Sequence, residues 1–130
     1  MAKIYFAAPL FCKAEKDFNA EVADVLRKNG HEVFLPQEEP KKESTSEIFR
    51  CDLEAVDSCE VLLFVMDGRV PDEGASFELG YAYAKGKTCV GLKTDERVSE
   101  RGGDNIMLKH SLEFGIAGSV PELIGMLEGF

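Results

Sequence analysis

Two hydrophobic spacings alternate along the chain. Residues 3–8 form a short apolar and aromatic run ended by Pro9, which predicts a first, central strand. Over residues 14–29 the spacing becomes helical. Phe18, Val22, Val25 and Leu26 fall on one face with charges opposite, and Asn29-Gly30 is a helix stop. Residues 31–35 predict a second strand closed by Pro36. The polar, proline-containing residues 37–45 predict a mobile surface loop over one edge of any site the strands build. Ser44 or Ser46 can cap the next helix, with Glu47 nearby for a capping box. That helix carries Ile48, Leu53 and Val56 and ends near Ser58.

Residues 60–66 predict a third strand, continuously apolar from Val61 to Met66, the mark of a strand buried on both faces. A helix over residues 73–85 follows a polar Gly/Pro turn and stops at Gly86. Residues 88–92 predict a fourth strand, 94–104 a long exposed loop, and 105–108 the start of a short apolar segment. Residues 113–117 predict a fifth strand. Ser119 is the expected N-cap of a last helix, with Glu122 at its third position. Strands and helices alternate without repeats or linkers, so residues 1–130 form a single domain. The expected class is α/β, a three-layer sandwich around a five-stranded parallel sheet in the flavodoxin-like order 2-1-3-4-5. Its switch point would bring the loop after residue 8 beside the loop after residue 66.

Composition narrows the function classes. The 130 residues are 45% hydrophobic and 30% charged, which describes a globular chain with a real core. A net charge of −9, with Lys41-Lys42 as the one adjacent basic pair, argues against a nucleic-acid partner. Cys12, Cys51, Cys59 and Cys89 form no C-x-x-C pair and the two histidines are far apart, so no zinc site is expected. No apolar run reaches membrane-spanning length, and the first residues enter a strand pattern without a signal-peptide pattern. No membrane association is expected, and the compartment is the cytoplasm with reduced thiols.

The candidate chemistry lies at the turn after residue 66. Asp67, Asp72 and Glu78, with Glu73 beside them, follow the carboxyl end of a buried strand, where open α/β sheets bind ligands. Neither G-x-G-x-x-G nor G-x-x-x-x-G-K-[ST] is present, so no dinucleotide cofactor is expected. A magnesium site of the receiver or phosphatase kind would want acids at the end of the first strand, where Ala7-Ala8 stand. Paired carboxylates remain. Glu78, among Leu79, Gly80 and Ala82, should have its pKa raised by apolar surroundings. Two carboxylates in one pocket can divide into nucleophile and acid, as in retaining glycosyl chemistry. Tyr5 on the adjacent strand can donate its hydroxyl to Glu78. Asp72 and Glu73 can equally serve as helix-start acids that complement the dipole.

The segment Asp72-Glu-Gly-Ala-Ser-Phe-Glu78-Leu-Gly-Tyr-Ala, preceded by Asp67-Gly68, resembles the signature of nucleoside 2-deoxyribosyltransferases. Ile4-Tyr5-Phe6-Ala7-Ala8-Pro9, Cys51-Asp52-Leu53 and Asn105-Ile106-Met107 resemble further elements of that family, in order from residue 4 to 108. The resemblance implies cleavage of the N-glycosidic bond of a 2′-deoxynucleoside and transfer of the sugar to another base, or to water. Glu78 matches the nucleophile, Tyr5 the residue that orients it, and Asp72 the acid–base position. Asp52 matches a pocket aspartate on the base side. Asp67, Gly74 and Pro9 join the substrate-binding set. Asn105 and Met107 match an element lent by a neighbouring subunit, which implies a homo-oligomer. The implied partners are a small-molecule 2′-deoxynucleoside and a nucleobase, with no cofactor and no metal. Two other readings stand beside this one. A nucleoside 5′-monophosphate N-hydrolase would want phosphate donors where this chain has Asp72 and an apolar first loop. A non-catalytic nucleoside- or nucleotide-binding module would not need Tyr5, Asp72 and Glu78 together.

Overall fold

The computed structural model describes residues 1–97 and 103–130. Strands β1 (Lys3–Ala7), β2 (Glu32–Phe34), β3 (Val61–Val65), β4 (Thr88–Leu92) and β5 (Ile116–Ala117) pair in parallel in the order β2-β1-β3-β4-β5. This is the expected flavodoxin-like order. Helices α1 (Lys13–Lys28), α2 (Thr45–Ser58), α3 (Glu73–Ala84), α4 (Ile106–Ser111) and α5 (Val120–Met126) complete the α/β sandwich.

The period-2 alternation of strand side chains divides the core into two layers. Ile4, Phe6, Leu63, Val65, Val90 and Leu92 face Val22, Ala23 and Leu26 of α1 and Leu123 of α5. Tyr5, Ala7, Leu62, Phe64 and Cys89 face Val56 of α2 and Ala75, Leu79 and Ala82 of α3. All five residues of β3 are buried, which accounts for its uninterrupted apolar sequence. Each large side chain in these layers contributes about 1.5–3 kcal/mol of transfer free energy. Among the described residues no buried side-chain polar atom lacks a partner, and no helix is long and apolar enough to cross a membrane.

The caps follow the sequence with small displacements. Ser44 caps α2 by accepting from the Glu47 amide at 3.2 Å, and Ser119 caps α5 by accepting from the Glu122 amide at 3.2 Å. In both, the glutamate reaches one residue past the cap, to the Glu43 and Gly118 amides. The fifth strand is shorter than expected. Residues 113–115 form a turn with Gly115 at φ +120°, in which the Phe114 amide already donates to the Cys89 carbonyl and the Gly115 carbonyl accepts from the Gly91 amide, and regular strand begins at Ile116. The apolar segment after Asn105 forms α4. The 37–45 stretch opens with a 3₁₀ turn at Pro36–Glu38. The expected loop over 94–104 lies partly outside the described residues.

Gly91 on β4 is needed for this close approach of the last elements. A Cβ there would stand 2.9 Å from Leu112 Cδ1 and 3.1 Å from Ile116 Cγ1. Gly91→Ala should therefore destabilise the protein by about 1–3 kcal/mol through overpacking, read as a lower midpoint in urea with an unchanged slope. A stability equal to wild type would show that the Leu112 and Ile116 side chains yield freely.

Candidate active site

Strand β1 places Tyr5 in the middle of the sheet, registered against Phe34 on β2 and Leu62 on β3. Its ring stacks on Phe34 at 5.4 Å between centroids, 13° from parallel. The side chain is fully buried on the layer that α3 covers. Its hydroxyl donates to Glu78 Oε2. Glu78 reaches this point because Ala75, Leu79 and Ala82 press α3 onto the sheet and leave Glu78, between them, half-buried.

The electrostatics of this contact are strained by burial. The Glu78 carboxyl is pushed up to about 7, first by desolvation, and also by the like charges of Asp52 and Asp72; the Tyr5 hydrogen bond opposes the rise. Burial first, then the charge of Glu78, drives the Tyr5 hydroxyl far above its ordinary value, so it stays a donor. Asp52, half-buried on α2, is raised by burial and by Glu39, with Lys42 offsetting. Asp72 is the N-cap of α3: its Oδ2 accepts from the Ala75 amide at 2.9 Å, and its backbone carbonyl accepts from Ser76 Oγ at 2.7 Å. Gly74 sits in that first turn, where a Cβ would be 3.4 Å from Asp72 Oδ2.

The structure thus gathers Tyr5, Glu78, Asp52 and Asp72 into one electrostatic unit. Asp67 faces elsewhere. It accepts from the Thr94 amide at 2.8 Å, the Thr94 hydroxyl at 2.6 Å and the Asp95 amide at 2.9 Å. Asp95 reciprocates by accepting from the Gly68 amide at 3.0 Å, and Arg97 foremost holds its carboxyl well below the usual range. Pro9 and Asp67 line a cleft of about 210 Å³ with Glu15, Phe18, Asn19 and Arg97, on the α1 side of the sheet. Asn105 caps α4, its carbonyl accepting from the Met107 and Leu108 amides at 3.0 and 3.2 Å, while Met107 is 75% exposed.

Sequence reasoning passed over three of these participants. Glu15 accepts from the Phe11 and Cys12 amides, both at 3.0 Å, so its carboxylate occupies the N-terminus of α1. The capping-box spacing from Cys12 to Glu15 was the available signal. Glu39 accepts from the Cys51 thiol at 3.7 Å, and Asp95 binds the turn of β3. Nothing local in the sequence marks either.

Known proteins share this family and this fold. The sequence family described as nucleoside 2-deoxyribosyltransferase matches residues 4–117. No curated protein matches the sequence. A conserved protein from Enterococcus faecalis V583 superposes with a TM-score of 0.88 at 26% identity, over 99% of this chain and 98% of that one. A 2-deoxyribosyltransferase from Bacillus psychrosaccharolyticus gives 0.81 at 26% identity, over 95% of this chain and 90% of that one. A CMP N-glycosidase from Clostridium botulinum shares the fold, with a TM-score of 0.64 at 21% identity over 97% of this chain and 98% of that one.

The raised Glu78 carboxyl has a thermodynamic consequence. The folded state holds this proton more tightly than the unfolded chain does, so stability falls as pH rises from about 4.5 through about 7. Glu78→Gln keeps an acceptor for Tyr5 and removes the buried charge. It should exceed wild type in stability by roughly 1–3 kcal/mol at pH 8. The gap should close by pH 4.5, as read from denaturation midpoints across pH. A gap independent of pH would contradict the assignment.

Proposed function

This chain belongs to the nucleoside 2-deoxyribosyltransferase family, and from that premise we propose that it cleaves the N-glycosidic bond of 2′-deoxynucleosides through a covalent deoxyribosyl-Glu78 intermediate and passes the sugar to another nucleobase. The observation that carries the reading is the buried Tyr5 hydroxyl donating to a half-buried carboxylate with Asp52 and Asp72 beside it.

In the first half-reaction a Glu78 oxygen bonds to the anomeric carbon as the bond to the base nitrogen breaks. The electron pair leaves with the base. Tyr5 holds the other carboxylate oxygen and fixes the line of attack, which suits an oxocarbenium-like transition state. Asp72 is assigned to relay a proton from water to the departing base. In the second half-reaction an acceptor base attacks the same carbon, Glu78 leaves, and Asp72 takes the proton back. No cofactor enters this scheme. Two carboxylates support a nucleoside over a 5′-phosphate. Asp72 occupies the start of α3 and Glu15 that of α1, the places where backbone amides would otherwise hold an anion. The exposed Ile106 and Met107, at 68% and 75%, support a second copy of the chain lending its Asn105 region to this pocket. We place the protein in the cytoplasm, in keeping with four free thiols.

Incubation with deoxyadenosine and a second free base should yield a new deoxynucleoside by chromatography, with a rate that rises with pH through an apparent pKa near 7. Glu78→Ala should lose at least about 10³-fold in turnover. Release of free deoxyribose alone would assign water as the acceptor, and full activity in the variant would refute the nucleophile.

Mixing two inactive variants tests the shared pocket. Asn105→Ala and Glu78→Ala proteins, refolded together, should regain a fraction of wild-type activity, because a hybrid interface carries one intact site. No regain, with both variants folded, would confine the site to one chain.

A further inference from the structure

The exposed Ile106 and Met107 open a helix of six residues. A helix that short is marginal by itself, so its pose depends on what ties it to the rest of the chain. Past its far end Leu112 is buried, and Leu108 packs with it on the core layer beneath α3. At its near end the tie is electrostatic. Asp104, the residue before the Asn105 cap, accepts from Lys93 Nζ at 2.6 Å through Oδ1. Both side chains are largely covered, with 19% of Lys93 and 25% of Asp104 exposed. Lys93 stands on a fixed base. Its amide donates to the Ala117 carbonyl at 2.9 Å, Leu92 before it is fully buried, and Thr94 after it is held by Asp67.

An exposed ion pair contributes little, because water competes for both charges. A mostly covered pair differs, since removing either partner leaves a charge with no compensation. The contact therefore pins residue 104 to the end of β4. The Asn105 carbonyl, accepting from the Met107 and Leu108 amides, carries that fixed point into the first turn of α4. Neither Lys93 nor Asp104 is among the groups that act on Glu78 or Tyr5 in the same chain. We propose that Lys93 and Asp104 are positioning residues, whose ion pair holds the Asn105–Met107 segment in the pose that completes the pocket of a second copy of the chain. The inference rests on the reading that this segment is shared between chains. The pair then acts on the neighbour's site and leaves the Glu78 of its own chain untouched.

Lys93→Met and Asp104→Asn proteins should fold, as checked by circular dichroism and urea midpoints. Each should lose about 10- to 100-fold in kcat/KM for deoxyadenosine with a free acceptor base, as misplaced pocket groups do. The double variant should lose no more than either single one, because both changes remove one interaction. Lys93→Arg keeps the charge and should restore most of the rate. Refolding in pairs then locates the defect. Lys93→Met mixed with Glu78→Ala should gain activity over the unmixed proteins, because one hybrid site joins an intact Glu78 to an intact segment. Lys93→Met mixed with Asn105→Ala should gain none, because both changes fall on the same segment. Asp104→Asn replaces Lys93→Met in the mixtures if the latter does not fold. The opposite pattern, no gain in either mixture, or full activity in both single variants would overturn the inference while the Glu78→Ala and Asn105→Ala pair still regains activity. No gain from that pair would refute the shared pocket and the inference with it.

Discussion

The site depends on one contact, in which a fully buried phenol donates a hydrogen bond to a carboxylate that burial alone would neutralise. Water would solvate Glu78 better than the protein does, and Asp52 and Asp72 add repulsion. Among the described residues acting on Glu78, Tyr5 is the one that favours the charge. The balance leaves the carboxyl near neutrality, where it is neither a permanently charged surface acid nor a permanently protonated core group. A group poised in that way responds to small changes around it.

The sheet order makes the contact available. β1 and β3 are neighbours, so the helix that leaves β3 can lie across the side chains of β1. Tyr5 then points into the layer beneath α3, and Phe34 from β2 fixes its ring from the other side. A one-residue slip of β1 would exchange Tyr5 for Ile4 or Phe6 and remove the donor. The register of the central strand and the chemistry of the site are therefore specified by the same pairings.

Much of this was legible in the residues. The apolar runs at 4–8, 61–66 and 89–92 located the central strands because burial on both faces demands nearly unbroken apolar sequence. The lone acid at position 78, among small and apolar residues, marked itself, and so did Tyr5 in the neighbouring strand. Other features had no local trace. The turn before β5 holds Gly115 at φ +120°, and nothing about a glycine states its φ. Asp67 sits in the same acidic turn as Asp72, yet its partners, Thr94 and Asp95, lie 27 and 28 residues away. Spacing along one turn cannot show which acid is tied to the next loop. Glu39 illustrates the same limit, since its relation to Asp52 arises only when the loop folds back over α2.

The exchange of hydrogen bonds between Asp67 and Asp95 also has a meaning for anyone who would re-engineer this scaffold. Each carboxylate accepts amides from the other's loop, so the stretches after β3 and β4 behave as one interlocked part. A graft that replaces the first alone leaves the Thr94 and Asp95 amides without their acceptor, and a graft of the second strands Asp67. Transplanting new specificity onto this fold means moving the two loops as a matched set, with Asp72 and the start of α3 travelling along.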